Sequence, residues 1–217
     1  MIEKNSIHCI DCLEGLKQLE DSSVSFIFTD PPYNMKKDYE VYKDDLSEDE
    51  YEDWMKEIVS EMKRVSNNNL SIFMSDKRLK FFWDMLPDAK LIIVHKRAIG
   101  SFEKGYFSQH FGLLTTKEPV KRTHNVWNDV RLPGEGYFFK EERFSNPGLT
   151  SELLVKKIIK TFTEVGDLVL DPFVGSGTTS VVSKGLERDY IGFDINPEYL
   201  KIAEERLKKV ALVDEWL

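Results

Sequence analysis

Short apolar runs alternating with stretches of 3.6-residue periodicity limit what this chain can fold into more than any other feature. Residues 7–10, 24–29, 70–74, 91–94, 168–170 and 190–193 are too short for helices and largely apolar on both faces, like strands buried between two layers. Between them, apolar residues recur at helical spacing. Leu13, Leu16 and Leu19 share one face. Tyr51, Trp54, Met55, Ile58, Val59 and Met62 share another, behind a Ser47/Glu50 capping box that opens a helix over about 48–64. Further helices are expected around 77–85, from Thr150 through Phe162, and from the Gly175-Ser176-Gly177 turn to about 185. Asn196 suits the N-cap of a last helix, with Pro197 at its first position. Strands alternating with helices imply an α/β fold with a mostly parallel sheet covered on both faces.

The 217 residues suit one domain with a sizeable insertion. That insertion is expected at 96–149, where periodicity fails and glycines and prolines interleave with aromatic and basic residues. Residues 1–95 and 150–217 then form the two halves of the domain. A 41% hydrophobic and 31% charged composition fits a globular chain with a real core. No apolar run reaches the roughly 20 residues of a membrane span, and the opening Met1-Ile2-Glu3-Lys4-Asn5 lacks the form of an export signal. With only two cysteines, a reducing cytoplasm and no membrane partner are expected. Cys9 and Cys12 form a lone C-x-x-C. Because His8, His95, His110 and His124 show no ligand spacing, no metal is expected.

Net charge is −8, but its distribution matters more. Residues 38–61 carry eleven acids against Lys43 and Lys56, a local charge of −9 that reads as a solvated face. Residues 90–143 carry ten Lys/Arg against six acids, a local +4, and are the candidate phosphate-binding surface.

Two motifs carry chemistry. Asp171-Pro172-Phe173-Val174-Gly175-Ser176-Gly177-Thr178-Thr179 follows an apolar strand and opens a helix. Glycines there let backbone approach a ligand closely, and free N–H groups at a helix start favour anionic groups. Asp194 ends the next strand, placed to accept hydrogen bonds from ribose hydroxyls. The second motif, Asp30-Pro31-Pro32-Tyr33, ends the strand at 24–29. Its prolines stiffen the chain, so a carboxylate and a backbone carbonyl can face one small group. Both are acceptors, and an aromatic amine offers two N–H donors. Tyr33 supplies a flat face for stacking a base.

Together the motifs resemble those of the amino-methyltransferases that act on DNA. Asp30–Tyr33 resembles their catalytic motif, and 171–179 their S-adenosylmethionine motif. The catalytic motif comes first, the order of the circularly permuted β group. The resemblance implies a Rossmann-like methyltransferase fold, circularly permuted, in which strands at 168, 190, 7 and 24 are consecutive in the parent fold. It implies that Asp171, Phe173, Gly175, Ser176, Gly177 and Thr178 wrap the methionine end of the cofactor, and that Asp30 also contacts it. Asp194 would hold the ribose, and Asp11 the cofactor's adenine amine, with Cys12 beside it. Thr150 stands where the family often has a cofactor-binding Lys, and its hydroxyl is expected to hold a carboxylate instead.

The Asp form of the catalytic motif goes mainly with N6-adenine, so double-stranded DNA is the expected partner and base flipping the expected route. Lys96, Arg97, Lys104, Lys117, Lys121, Arg122 and Arg131 are candidates for phosphate or base contacts. A homodimer is expected by analogy, and a cognate restriction endonuclease is left open. Cytosine N4 in DNA and adenine in RNA remain alternatives within the class. A catalytically quiet nucleic-acid-binding subunit is an alternative outside it. A dehydrogenase is disfavoured, since the glycine turn lacks the third glycine of that fingerprint.

Overall fold

The computed structural model describes residues 2–34, 45–95, 110–128 and 150–210. In chain order the elements are β1 (Ser6–Cys9), α1 (Cys12–Lys17), β2 (Phe26–Thr29), α2 (Glu48–Ser66), β3 (Leu70–Met74), α3 (Asp76–Met85) and β4 (Lys90–His95). They continue with β5 (His110–Thr115), β6 (Val126–Trp127), α4 (Glu152–Phe162), β7 (Leu168–Asp171), α5 (Thr178–Gly185), β8 (Asp189–Asp194) and α6 (Pro197–Lys209).

One sheet runs β1-β8-β7-β2-β3-β5-β4-β6. Only β5 is antiparallel to its neighbours, β3 and β4. The alternation Phe26-Ile27-Phe28 shows how β2 holds two layers together. Ile27 packs into the cluster containing Tyr51, Met55 and Ile58 of α2. Phe26 and Phe28 point the other way, into the cluster with Ile158, Ile159 and Phe162 of α4. The Phe26 and Phe162 rings stack at 5.6 Å. Burying each such side chain stabilises the fold by about 1.5–3 kcal/mol relative to exposure.

The helix signals behave as expected. Ser47 and Glu50 form a reciprocal capping box, and α2 ends at Asn67 in the left-handed conformation. Asn196 accepts from the Glu198 N–H, with Pro197 opening α6. Arg64 on α2 donates to the Leu16 and Leu19 carbonyls, tying the end of α1 to α2. No helix among the described residues is long and apolar enough to cross a membrane.

Within the expected insertion at 96–149, two segments belong to the sheet instead. His110–Thr115 is a full strand inside the sheet, between β3 and β4, and Val126–Trp127 forms its edge. The sequence hides β5 because Gly112 interrupts it, and a glycine weakens strand patterning. A methyl there would lie 3.3 Å from Leu91 Cδ1 on the neighbouring strand, a tight contact that the leucine side chain would have to relieve.

Candidate active site

Strands β1, β8, β7, β2 and β3 are parallel, so their C-terminal ends share one edge of the sheet. From β7 the chain crosses to β8 on one side, and from β2 it crosses to β3 on the other. The β7/β2 junction is therefore the topological switch point, where open α/β sheets bind ligands. Both motifs stand there.

Asp171 joins the two strands. Its Oδ1 accepts from Thr29 Oγ1 of β2 at 2.9 Å and from the Phe173 N–H at 3.0 Å, and its Oδ2 from Thr179 Oγ1 at 2.6 Å. Burial pushes this carboxyl up to about 6, with the Thr179, Phe173 and Thr29 hydrogen bonds pulling the other way. Both oxygens thus hold the turn in shape. The motif marks Asp171 but not the roles of Thr29 and Thr179, whose hydroxyls make its burial tolerable.

The turn after Asp171 has two left-handed glycines, Gly175 (φ 50°) and Gly177 (φ 86°). A methyl on Gly177 would lie 2.6 Å from Ala203 Cβ, so Gly177 lets α6 approach the start of α5. A methyl on Gly175 would meet nothing within 4 Å, so that stretch of backbone faces open space. Arg206 on α6, only 12% exposed, braces the turn. Its Nη1 donates to the Ser176 carbonyl at 2.6 Å and reaches the Ser176 and Thr178 hydroxyls at 3.2 Å, and its Nη2 pairs with Glu152 at 2.6 Å. Nothing in the residue pattern marks Arg206, which sits among other charges in a helix. Phe173 packs edge-on against Trp54 of α2.

Asp194 ends β8 and Asp11 follows β1, the adjacent strand. Asp194 accepts from the Gly175 N–H at 2.9 Å and the Asn196 N–H at 2.8 Å, and burial raises its pKa. Asp11 caps α1 through Oδ1, 2.9 Å from the Leu13 nitrogen and 3.3 Å from that of Glu14. Cys12 is buried, and burial together with the Asp11 charge pushes its thiol far up, so it stays protonated and unreactive. Cys9 is exposed and free. Among the described residues no group of three or more His, Cys, Asp or Glu could hold a metal ion.

The loop after β2 carries the acceptors. Asp30 Oδ1 contacts the Tyr33 hydroxyl, and Oδ2 accepts from Thr150 Oγ1 at 2.9 Å. Thr150, expected as a cofactor contact, here bonds the catalytic-loop carboxylate of Asp30. Thr150 precedes α4, whose N-cap is Ser151. The Tyr33 hydroxyl is also 3.0 Å from the Phe73 carbonyl at the end of β3. The Pro32 carbonyl accepts from Tyr51, and the Tyr33 carbonyl from Arg78. The Pro31 carbonyl accepts no hydrogen bond among the described residues.

The predicted basic contacts divide. Lys96, Arg97, Lys104 and Arg131 lie outside the described residues. Lys117, Lys121 and Arg122 lie away from the catalytic edge. Strand β5 runs away from the catalytic edge, and its last residue, Thr115, pairs with Ser71 and Lys90 near the beginnings of β3 and β4. The Val120 N–H then bonds the Thr161 carbonyl at the far end of α4. Helix α4 starts beside Asp30 and covers ~16 Å over its 11 residues. Lys121 thus sits at the opposite edge of the sheet, where it adds to the positive field that, with burial, lowers the pKa of Lys160.

A parallel sheet with a glycine turn at its switch point, and an Asp-Pro-Pro-Tyr loop on the next strand, defines the class of S-adenosylmethionine-dependent amino-methyltransferases. The model of the DNA methylase family matches residues 24–111 and 95–205, and the chain belongs to that family. It is 33% identical to the type II methyltransferase M.HpaI of Haemophilus parainfluenzae, over 92% of this chain and 73% of the relative. It is 28% identical to the DNA adenine methyltransferase YhdJ of Escherichia coli K12, over 91% of this chain and 80% of the relative. Among solved structures, M1.HpyAVI in its SAM complex superposes with a TM-score of 0.66 at 25% identity, over 93% of this chain and 98% of that one.

S-adenosylmethionine is the cofactor, and the residues present fit it. The open space over Gly175 is a cradle that a side chain would fill. Asp194, which accepts from the Gly175 N–H, and Asp11 just beyond the adjacent strand would offer carboxylates to the cofactor's polar N–H and O–H groups.

Proposed function

We propose that this chain methylates the exocyclic N6 amine of adenine in double-stranded DNA. The observation that carries the reading is the pairing of the Asp30 carboxylate with a Pro31 carbonyl that accepts no bond from the described residues, on the strand next to the glycine turn. An exocyclic amine has two N–H groups, and these two acceptors match them. With both protons hydrogen-bonded, the nitrogen lone pair is drawn out of conjugation with the ring and turned toward an electrophile. When bound, S-adenosylmethionine supplies a methyl carbon made electrophilic by a positively charged sulfur. Asp30 and Pro31 orient the amine, and as the methyl passes from sulfur, which keeps the bonding pair as a neutral thioether, to nitrogen, the amine's surplus proton passes toward Asp30. Orientation and charge placement supply most of the rate.

In the free chain the Tyr33 and Thr150 hydroxyls satisfy Asp30. The incoming amine replaces the Tyr33 hydroxyl at Oδ1, and the Tyr33 ring stays as a stacking face for the flipped base. The name of YhdJ, an adenine enzyme, adds support for adenine. The type II names of M.HpaI and other relatives support a modification role beside an endonuclease. The strand order is consistent with a circular permutation, since β2, which carries the catalytic loop, precedes β7, which carries the glycine turn, and lies beside it in the sheet.

The test is mass spectrometry of nucleosides from unmethylated DNA, and from RNA, after incubation with isotope-labelled S-adenosylmethionine. Labelled N6-methyladenine from DNA is expected. N4-methylcytosine, or label in RNA alone, would replace the reading with one of its alternatives.

A further inference from the structure

We propose that Arg78 and Tyr51 are positioning residues for methyl transfer, acting through the carbonyls of Tyr33 and Pro32 to hold the Pro31 carbonyl and Asp30 in reacting geometry. The inference rests on the function proposed above and extends it to residues outside both motifs.

Arg78 lies in the first turn of α3 and is only 13% exposed, although it carries a full charge. Every face of its guanidinium is engaged. Nε and Nη2 donate to the Tyr33 carbonyl at 2.9 and 2.8 Å. Nη1 pairs with Glu48, the first residue of α2, whose carboxyl is held below its usual range mainly by that bond. The flat of the group lies 4.4 Å from the centre of the Tyr51 ring. Tyr51 is fully buried, and its hydroxyl donates to the Pro32 carbonyl at 3.0 Å.

Two adjacent carbonyls of the catalytic loop are therefore tied down by side chains from two helices. The carbonyl before them, on Pro31, accepts nothing from the described residues. The proline rings fix φ at Pro31 and Pro32. The Tyr51 and Arg78 bonds hold the peptide planes that follow. Together they narrow the directions in which the Pro31 carbonyl can point. An ion pair that merely joined α2 to α3 would need only the Glu48 contact. The two bonds to the Tyr33 carbonyl and the one to Pro32 aim the network at the loop instead. Lysine cannot replace this, because one ammonium cannot present two parallel donors, a third to Glu48 and a flat face to an aromatic ring.

The experiment compares the full-length chain with Arg78→Lys, Tyr51→Phe and the double variant. It reads single-turnover methyl transfer to unmethylated plasmid DNA, S-adenosylmethionine affinity by calorimetry, and the melting temperature. Tyr51→Phe removes one hydroxyl from a buried ring and keeps the proposal testable if Arg78→Lys folds poorly. Each single variant is expected to slow transfer roughly 10- to 100-fold, the range for small misplacements of reacting groups, with cofactor affinity kept. The double variant should be far less impaired than the product of the two singles, because both act on one loop. Single variants that transfer at the wild-type rate would overturn the proposal. So would losses that track cofactor affinity and melting temperature together. Wild-type protein that binds cofactor but labels no DNA would overturn the function itself, a result distinct from either.

Discussion

Asp171 places a carboxylate inside the sheet, where its charged form is disfavoured despite three hydrogen bonds. Its folded-state pKa, near 6, lies above that of an unfolded aspartate, so between about pH 4 and 6 the folded chain binds more protons than the unfolded one. Its contribution to stability is full below about pH 4 and is lost as pH rises through 6. Asp171→Asn removes that dependence. Urea unfolding from pH 4 to 7 should show wild type losing stability relative to the variant by about 1–3 kcal/mol across this window. A constant difference between the two would contradict the assignment. At this scale legibility followed the motif. Asp30, Asp171, Asp194 and both glycines were readable, because strand ends and turns mark them. Thr29, Tyr51, Arg78 and Arg206 were not, because each acts on a residue distant in sequence and looks like an ordinary strand or helix residue.

The glycine turn, the helix α5 it opens and the helix α6 packed on it form the element at the proposed cofactor site. Both glycines are left-handed, a conformation that costs about 1–2 kcal/mol for other residues. Their surroundings differ, so their variants should differ. Gly177→Ala adds a collision with Ala203 and should lower the melting temperature more than Gly175→Ala. Gly175→Ala places its methyl in open space and should weaken S-adenosylmethionine binding more than stability. Thermal melts and calorimetry on the pair check this, and equal effects on both readouts would contradict it. Among elements, α2, α6 and the parallel strands were legible from caps and apolar runs. Strand β5 was not, since its glycine and its antiparallel place between β3 and β4 are set by partners on either side.

Over the whole molecule, the two edges of the sheet have different roles. Asp30, Asp171, Asp194 and Asp11 gather at one edge, and the described residues flanking 35–44, 96–109 and 129–149 stand there too: Asn34 after β2, His95 and His110, and Thr150 beside Asp30. Lys117, Lys121 and Arg122 occupy the other edge. Charge along the sequence could not separate them, because strand β5 carries the chain from one edge to the other within six residues. Lys121→Ala/Arg122→Ala should therefore leave DNA affinity and its salt slope unchanged; a flatter slope would put phosphate contacts at the far edge.

The central claim is that Asp30 binds the reacting amine at a site whose cofactor is held by other residues. The most direct measurement compares wild type with Asp30→Ala for transfer of labelled methyl to DNA, with S-adenosylmethionine binding measured in parallel. The expected result is labelled N6-methyladenine with wild type and none with Asp30→Ala, while the variant still binds the cofactor. Transfer by Asp30→Ala at a rate near that of wild type would contradict the account.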